Sequence, residues 1–185
     1  MEVLEAITAR RSIRRYMPDE VTDENLRFVL EAARWAPSWS NTQCWRFVVV
    51  KDPVIKARLA EILHGNRSAG AVAEAPLVIV LVAQLGKSGF SGGAAATDKG
   101  EHWYMFDAAL AMQNLVLEAY SLGLGTVIIG KFDAQEVARL LRVAPGFCVV
   151  AMTPLGYPAE DPPPRPRLEI QTLVSFDRFI STPAD

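Results

Sequence analysis

Between residues 102 and 122 the chain is apolar on almost every helical face. Trp103, Met105, Phe106, Ala108, Leu110, Met112, Leu115, Val116, Leu117 and Ala119 cover the wheel. Asp107, Asn114, Glu118 and Ser121 leave one thin polar line at roughly heptad spacing. A helix that is apolar all round is buried on most sides. This one therefore reads as the central helix of the fold, covered by its own sheet and by a second subunit. Gly123 and Gly125 close it. Residues 76–83, P-L-V-I-V-L-V-A, are a continuous aliphatic run of the kind found in strands covered on both faces. A chain of 185 residues, half of them apolar, can supply that cover within one domain.

The remaining elements follow from periodicity and punctuation. Val3, Leu4 and Ile7 predict a short helix over residues 2–9. Thr22 is a candidate N-cap for a helix whose buried face is Leu26, Val29, Leu30 and Ala33, ending at Pro37. Residues 45–51 predict a strand, and Pro53 opens a helix that runs to about residue 63. Residues 126–129 and 147–154 predict strands, with a helix at 133–141 between them. Residues 84–101 dissolve into Gly, Ser and Ala, the composition of a mobile loop or lid. Residues 157–185 form a proline-stiffened tail. Its Leu168, Ile170, Leu173, Val174 and Phe176 require cover, which a partner subunit would give.

The chemistry concentrates in residues 9–16, A-R-R-S-I-R-R-Y. Arg10, Arg11, Arg14 and Arg15 offer permanently charged donor forks that match phosphate oxygens in pairs, and Ser12 adds a hydroxyl. The net charge is −2, so this basic cluster is local, and the chain is not marked as a nucleic-acid or membrane binder. Residues 37–45, P-S-W-S-N-T-Q-C-W, are a dense set of neutral donors and acceptors, suited to an uncharged heterocycle edge or to an ordinary turn. Cys44 and Cys148 are far apart and without Cys/His spacing, so neither a disulfide framework nor a metal site is expected. Few free thiols suit a reducing cytoplasm. The acidic first residues lack the pattern of a signal peptide, and no apolar run approaches the ~20 residues of a membrane span.

Four segments in order, R-R-S-I-R, P-S-W-S-N-T-Q-C-W, G-L-G-T-V-I-I-G-K-F and L-G-Y-P with R-P-R, resemble the FMN-dependent nitroreductase family over nearly the whole chain. The resemblance implies an α+β three-layer sandwich with a mixed, mainly antiparallel sheet flanked by helices. It also implies an intertwined homodimer with FMN in the subunit interface. Arg10, Arg11 and Ser12 would then face the FMN phosphate or ribityl chain, and Arg14 the flavin N1 and O2. Pro37, Ser38, Asn41 and Gln43 would reach the flavin of the other subunit. Gly130 and Lys131 would lie near N5 and O4, and Arg165 and Arg167 would clamp the phosphate. No catalytic side-chain acid or base is demanded. NADH or NADPH would be a transient substrate, followed by a nitroaromatic, quinone or related acceptor, with hydride passing through flavin N5. A specialised branch, reductive dehalogenation or flavin breakdown, and a non-catalytic flavin-binding protein are the alternatives. Trp39, Cys44 and Lys131 depart from the family pattern, and Trp39 narrows the space over the flavin.

Overall fold

A computed structural model describes residues 2–179. In chain order its first elements are α1 (Val3–Ala9), α2 (Asp23–Arg34), β1 (Trp45–Val50), α3 (Pro53–Ile62), α4 (Ala69–Glu74) and β2 (Leu77–Gln84). They are followed by β3 (Phe90–Ser91), β4 (Ala94–Ala95), α5 (Trp103–Ser121), β5 (Gly125–Thr126), α6 (Ala134–Leu140), β6 (Phe147–Gly156) and α7 (Ile170–Leu173). Three helices begin where the sequence places a cap. Thr22 accepts from the Asn25 amide, Asp52 from Val54 and Ile55, and Asp133 from Glu136.

The main sheet has four strands in the order β1-β2-β6-β5, each neighbouring pair antiparallel. Strand alternation on β2 divides the molecule into layers. Leu77, Ile79 and Leu81 pack with Val29 and Ala33 of α2 and with Ala108, Met112 and Leu115 of α5. Val78, Val80 and Val82 face the other way, toward Leu59 of α3, Val72 of α4 and Val137 of α6. The result is the expected α+β sandwich: two helices, a sheet, and three shorter helices. A parallel bridge between Ser12 and Thr126 adds the arginine turn to the β5 edge and makes the sheet mixed.

The structure corrects or refines several details. The strand expected over 126–129 is only β5 plus one bridge from Ile129 to Met152, although Val127 and Ile129 are still buried. Gly123, at φ +75°, closes α5, whereas Gly125 belongs to β5 and is glycine for another reason. A Cβ there would stand 2.8 Å from the Ile13 Cβ. Helix α4 was not expected; its A-G-A-V-A-E is too short to establish a period. Leu168, Ile170, Leu173, Val174 and Phe176 are exposed in the single chain, with α7 a single turn among them. The expected lid at 84–101 contains the β3–β4 hairpin, and its two ends meet where Ala96 N–H donates to Gly89 C=O. The last residues of the expected tail, 180–185, lie outside the described residues.

Candidate functional site

The arginine turn is held from both sides by backbone. Ile13 N–H donates to Thr126 C=O at 2.9 Å, Met17 N–H to Tyr157 C=O at 2.9 Å, and Ala159 N–H to Arg15 C=O at 2.9 Å. Ile13 is buried against Gly125, and extended alternation then turns Ser12 and Arg14 to the opposite side. There they line a cavity of about 460 Å³ together with Arg10, Arg11, Arg165 and Arg167. The chain ends, far apart in sequence, thus meet as expected. A further guanidinium, Arg67, completes the lining from the turn between α3 and α4. That residue had no signal of its own: one arginine in G-N-R-S has the look of surface.

The cavity is electrostatically one-sided. Among the described residues none of its six arginines has a carboxylate within ion-pair distance of its side chain, whereas Arg15 points away to Glu74 at 3.1 Å. Burial, then the charges of Arg11 and Arg167, push the Arg10 guanidinium below its ordinary pKa. Burial and then Arg67 do the same to Arg14, with Glu160 opposing. The Glu160 carboxylate accepts the Arg14 backbone N–H. Cations gathered against their own repulsion favour any anion that enters, and guanidinium forks favour phosphate. The donor set therefore fits a phosphate monoester.

A chain of hydrogen bonds leads from the cavity to the segment after β5. Arg14 Nε donates to Ser68 Oγ at 3.3 Å and Arg14 Nη1 to Ser12 C=O at 3.2 Å. Asn66 Oδ1 accepts the Ser68 N–H, and Asn66 Nδ2 donates to Lys131 C=O at 2.9 Å. Gly130 and Lys131 are exposed and do not line the cavity.

Pro37, Ser38, Asn41 and Gln43 do not line this cavity within one chain. They lie on the turn ahead of β1, where Ser38 Oγ accepts Gln43 N–H at 3.0 Å and Gln43 Nε2 donates to Asn41 Oδ1 at 3.1 Å. Ser40, Asn41 and Gln43 all have positive φ, at 43°, 56° and 47°. The turn is tied to α5 by Asp107, whose Oδ2 accepts Trp39 N–H at 3.0 Å and the Ser88 hydroxyl. Asp107 was visible in the sequence as an acid on an apolar helix, but nothing there indicated its partners. Among the described residues no group of His, Cys, Asp and Glu could hold a metal ion, and no helix is long and apolar enough to cross a membrane.

Comparison with known proteins adds to this geometry. The model of the nitroreductase family matches residues 7–157. The NADH dehydrogenase of Thermus thermophilus is 35% identical over 201 residues, spanning 94% of this chain and 97% of that protein. A nitroreductase family protein from Clostridium novyi superposes with a TM-score of 0.77 at 33% identity, over 86% of this chain and 87% of the other. The NADPH:FMN oxidoreductase of Vibrio harveyi, solved with NAD+, superposes with a TM-score of 0.85 at 26% identity, over 97% of this chain and 79% of its own.

Proposed function

The chain belongs to the nitroreductase family, and we propose that it is an FMN-dependent oxidoreductase that takes electrons from NADH or NADPH and passes them to a small organic acceptor. The observation that carries this reading is the convergence of Arg10, Arg11, Arg14, Arg67, Arg165 and Arg167 on one cavity. Arg10, Arg11, Ser12, Arg165 and Arg167 would hold the FMN phosphate, with Arg67 as an added cation. FMN supplies the two-electron chemistry when bound.

The protein's part is to bind, orient and polarise. Arg14 is the cation left for the ring side, where positive charge favours the reduced, anionic form. Exposed backbone at Gly130 and Lys131 offers polar groups to the ring edge, held in place by Asn66. Pro37, Ser38, Asn41 and Gln43 would complete the site from a second copy of the chain. A homodimer is consistent with the apolar side chains that one chain leaves exposed, among them Val3, Leu4, Met105, Phe106 and Phe176. The free thiols Cys44 and Cys148 suit a reducing, cytoplasmic setting.

The test is the absorption spectrum of the purified protein. A flavin band that bleaches with NADH or NADPH and returns with menadione or a nitrofuran is the expected result. A protein that refuses added FMN and oxidises no NAD(P)H would overturn the proposal.

A further inference from the structure

The buried carboxylate of Asp107 has no part in the arginine cavity, yet it is only 1% exposed and has no cation beside it among the described residues. A buried charge without a counter-ion is costly and needs hydrogen bonds to persist. Its two donors come from two separate loops. Trp39 N–H, in the turn ahead of β1, donates at 3.0 Å, and the Ser88 hydroxyl, in the segment after β2, donates to the same oxygen. Thr42 Oγ1 lies 2.8 Å from Ser88 Oγ. Since the Ser88 proton goes to the carboxylate, Thr42 must be the donor to Ser88. The turn therefore grips Asp107 twice, directly through Trp39 and indirectly through Thr42 and Ser88, in a closed ring.

Two further observations show what this ring holds. Ser40, Asn41 and Gln43 sit at positive φ, which side chains other than glycine persist in only where the surroundings over-determine them. The ring spans Ser40 and Asn41 through Trp39 and Thr42, and Gln43 follows directly on Thr42. The Trp39 ring in turn meets Trp103 edge-on, with centroids 5.0 Å apart, and Trp103 packs at 5.6 Å against the exposed ring of Phe106. Gly89, next to Ser88, approaches the same Trp103 so closely that a Cβ would stand 2.8 Å from the Trp103 Cβ. Turn, hairpin segment and the first turn of α5 thus form one wall of aromatic and polar groups.

We propose that Asp107 is a positioning residue, which locks the 37–43 turn and the 84–101 segment to α5 so that they act as a single wall presenting Trp39 to the electron acceptor. The assignment to the acceptor rests on the flavoenzyme reading above; the locking does not. A buried charge that accepts from both loops couples them, because loosening either loop leaves the carboxylate short of a donor.

The experiment uses full-length protein carrying Asp107→Asn, Ser88→Ala or Thr42→Val, and the Asp107→Asn/Ser88→Ala pair. Amide hydrogen exchange is read by mass spectrometry on peptides covering 37–43 and 84–101. Both peptides are expected to lose protection together in each single variant, while β2 and β6 keep theirs, with the pair no worse than Asp107→Asn alone. At saturating FMN, acceptor kcat/KM is expected to fall about tenfold or more, as for other small misplacements of a positioning group. Loss of protection in one loop only, or an additive pair, would overturn the locking. Joint loosening with unchanged acceptor kcat/KM would overturn the acceptor role. If wild-type protein binds no FMN, the flavoenzyme reading fails while the exchange experiment still decides the locking. Should Asp107→Asn fail to fold, Ser88→Ala and Thr42→Val carry the same comparison.

Discussion

The Tyr16 hydroxyl donates to the Ile13 carbonyl at 2.8 Å in a buried setting and so closes the turn that carries Arg14 and Arg15. Burial, with Glu160 adding to it and Arg14 opposing, pushes the phenol well above its usual pKa, so it remains a donor. Tyr16→Phe leaves the Ile13 carbonyl unsatisfied and is expected to cost about 1–2 kcal/mol in denaturant unfolding. Arg14 is the next test at this scale. If it faces the ring, it interacts more strongly with reduced than with oxidised flavin. A charge-assisted hydrogen bond contributes about 1.5–3 kcal/mol, which for a two-electron couple corresponds to roughly 30–60 mV. Arg14→Met is therefore expected to lower the FMN midpoint potential by about that much and to leave binding of oxidised FMN largely intact. Arg165→Ala should do the opposite: weaker binding, little change in potential. A redox titration against a reference dye, beside a fluorescence binding titration, separates the two. Abolished binding with Arg14→Met would reassign Arg14 to the phosphate. Legibility at this scale followed clustering. Arg10, Arg11 and Arg14 were readable because they share one short stretch, and Arg165 and Arg167 because they share another. Arg67, Glu160 and Asn66 were not, because each acts alone and its meaning comes only from what the fold brings beside it.

Elements with a long period were legible to within a residue or two. Helices α2, α3 and α6 carry their own caps, and β2 is a run of aliphatics buried on both faces. Short elements were not, because α4, β3, β4 and β5 are made by tertiary contacts that no local pattern encodes. The β3–β4 hairpin shows how such a contact is built. Gly89 has φ +80°, and a Cβ there would stand 2.7 Å from the Gly100 carbonyl oxygen and 2.8 Å from the Trp103 Cβ. Gly92, at the hairpin tip, has φ +58° with open space around it. Gly89→Ala combines left-handed strain with overpacking and is expected to cost about 2–4 kcal/mol, against about 1–2 kcal/mol for Gly92→Ala. Differential scanning calorimetry of the two variants checks the order. FMN affinity should hold in both, since neither glycine lines the arginine cavity. Equal losses would mean that the hairpin is not packed against α5 in solution.

At the scale of the whole molecule the layers and the meeting of the two chain ends were legible in the sequence and resemblance together, and the bonds of residues 157–160 that fix that meeting were not. A cut after Gly156 would look like a clean removal of the tail. The structure shows that residues 157–160 belong to the arginine turn: Tyr157 accepts from Met17, Ala159 donates to Arg15, and Glu160 accepts the Arg14 N–H. A cut after Asp161 keeps those bonds and removes Arg165, Arg167, α7 and the exposed Leu168, Ile170, Leu173, Val174 and Phe176. The full chain is expected to sediment as a dimer at micromolar concentration without added ligand. Its exposed apolar side chains on α1, on α5 and along the tail are more than a monomer surface ordinarily carries. Chain 1–161 should keep the cooperative unfolding of the core, whose two clusters contain no residue beyond Tyr157. It should sediment as a monomer, and its FMN Kd should rise at least about tenfold, since each lost charge-assisted contact is worth about that or more. Chain 1–156 should lose FMN altogether, because the turn carrying Arg14 has then lost its second edge. Calorimetry, sedimentation velocity and flavin fluorescence on the three lengths give the comparison. If chain 1–161 remains a dimer and binds FMN as the full chain does, neither the tail arginines nor the apolar tail residues have the roles proposed for them.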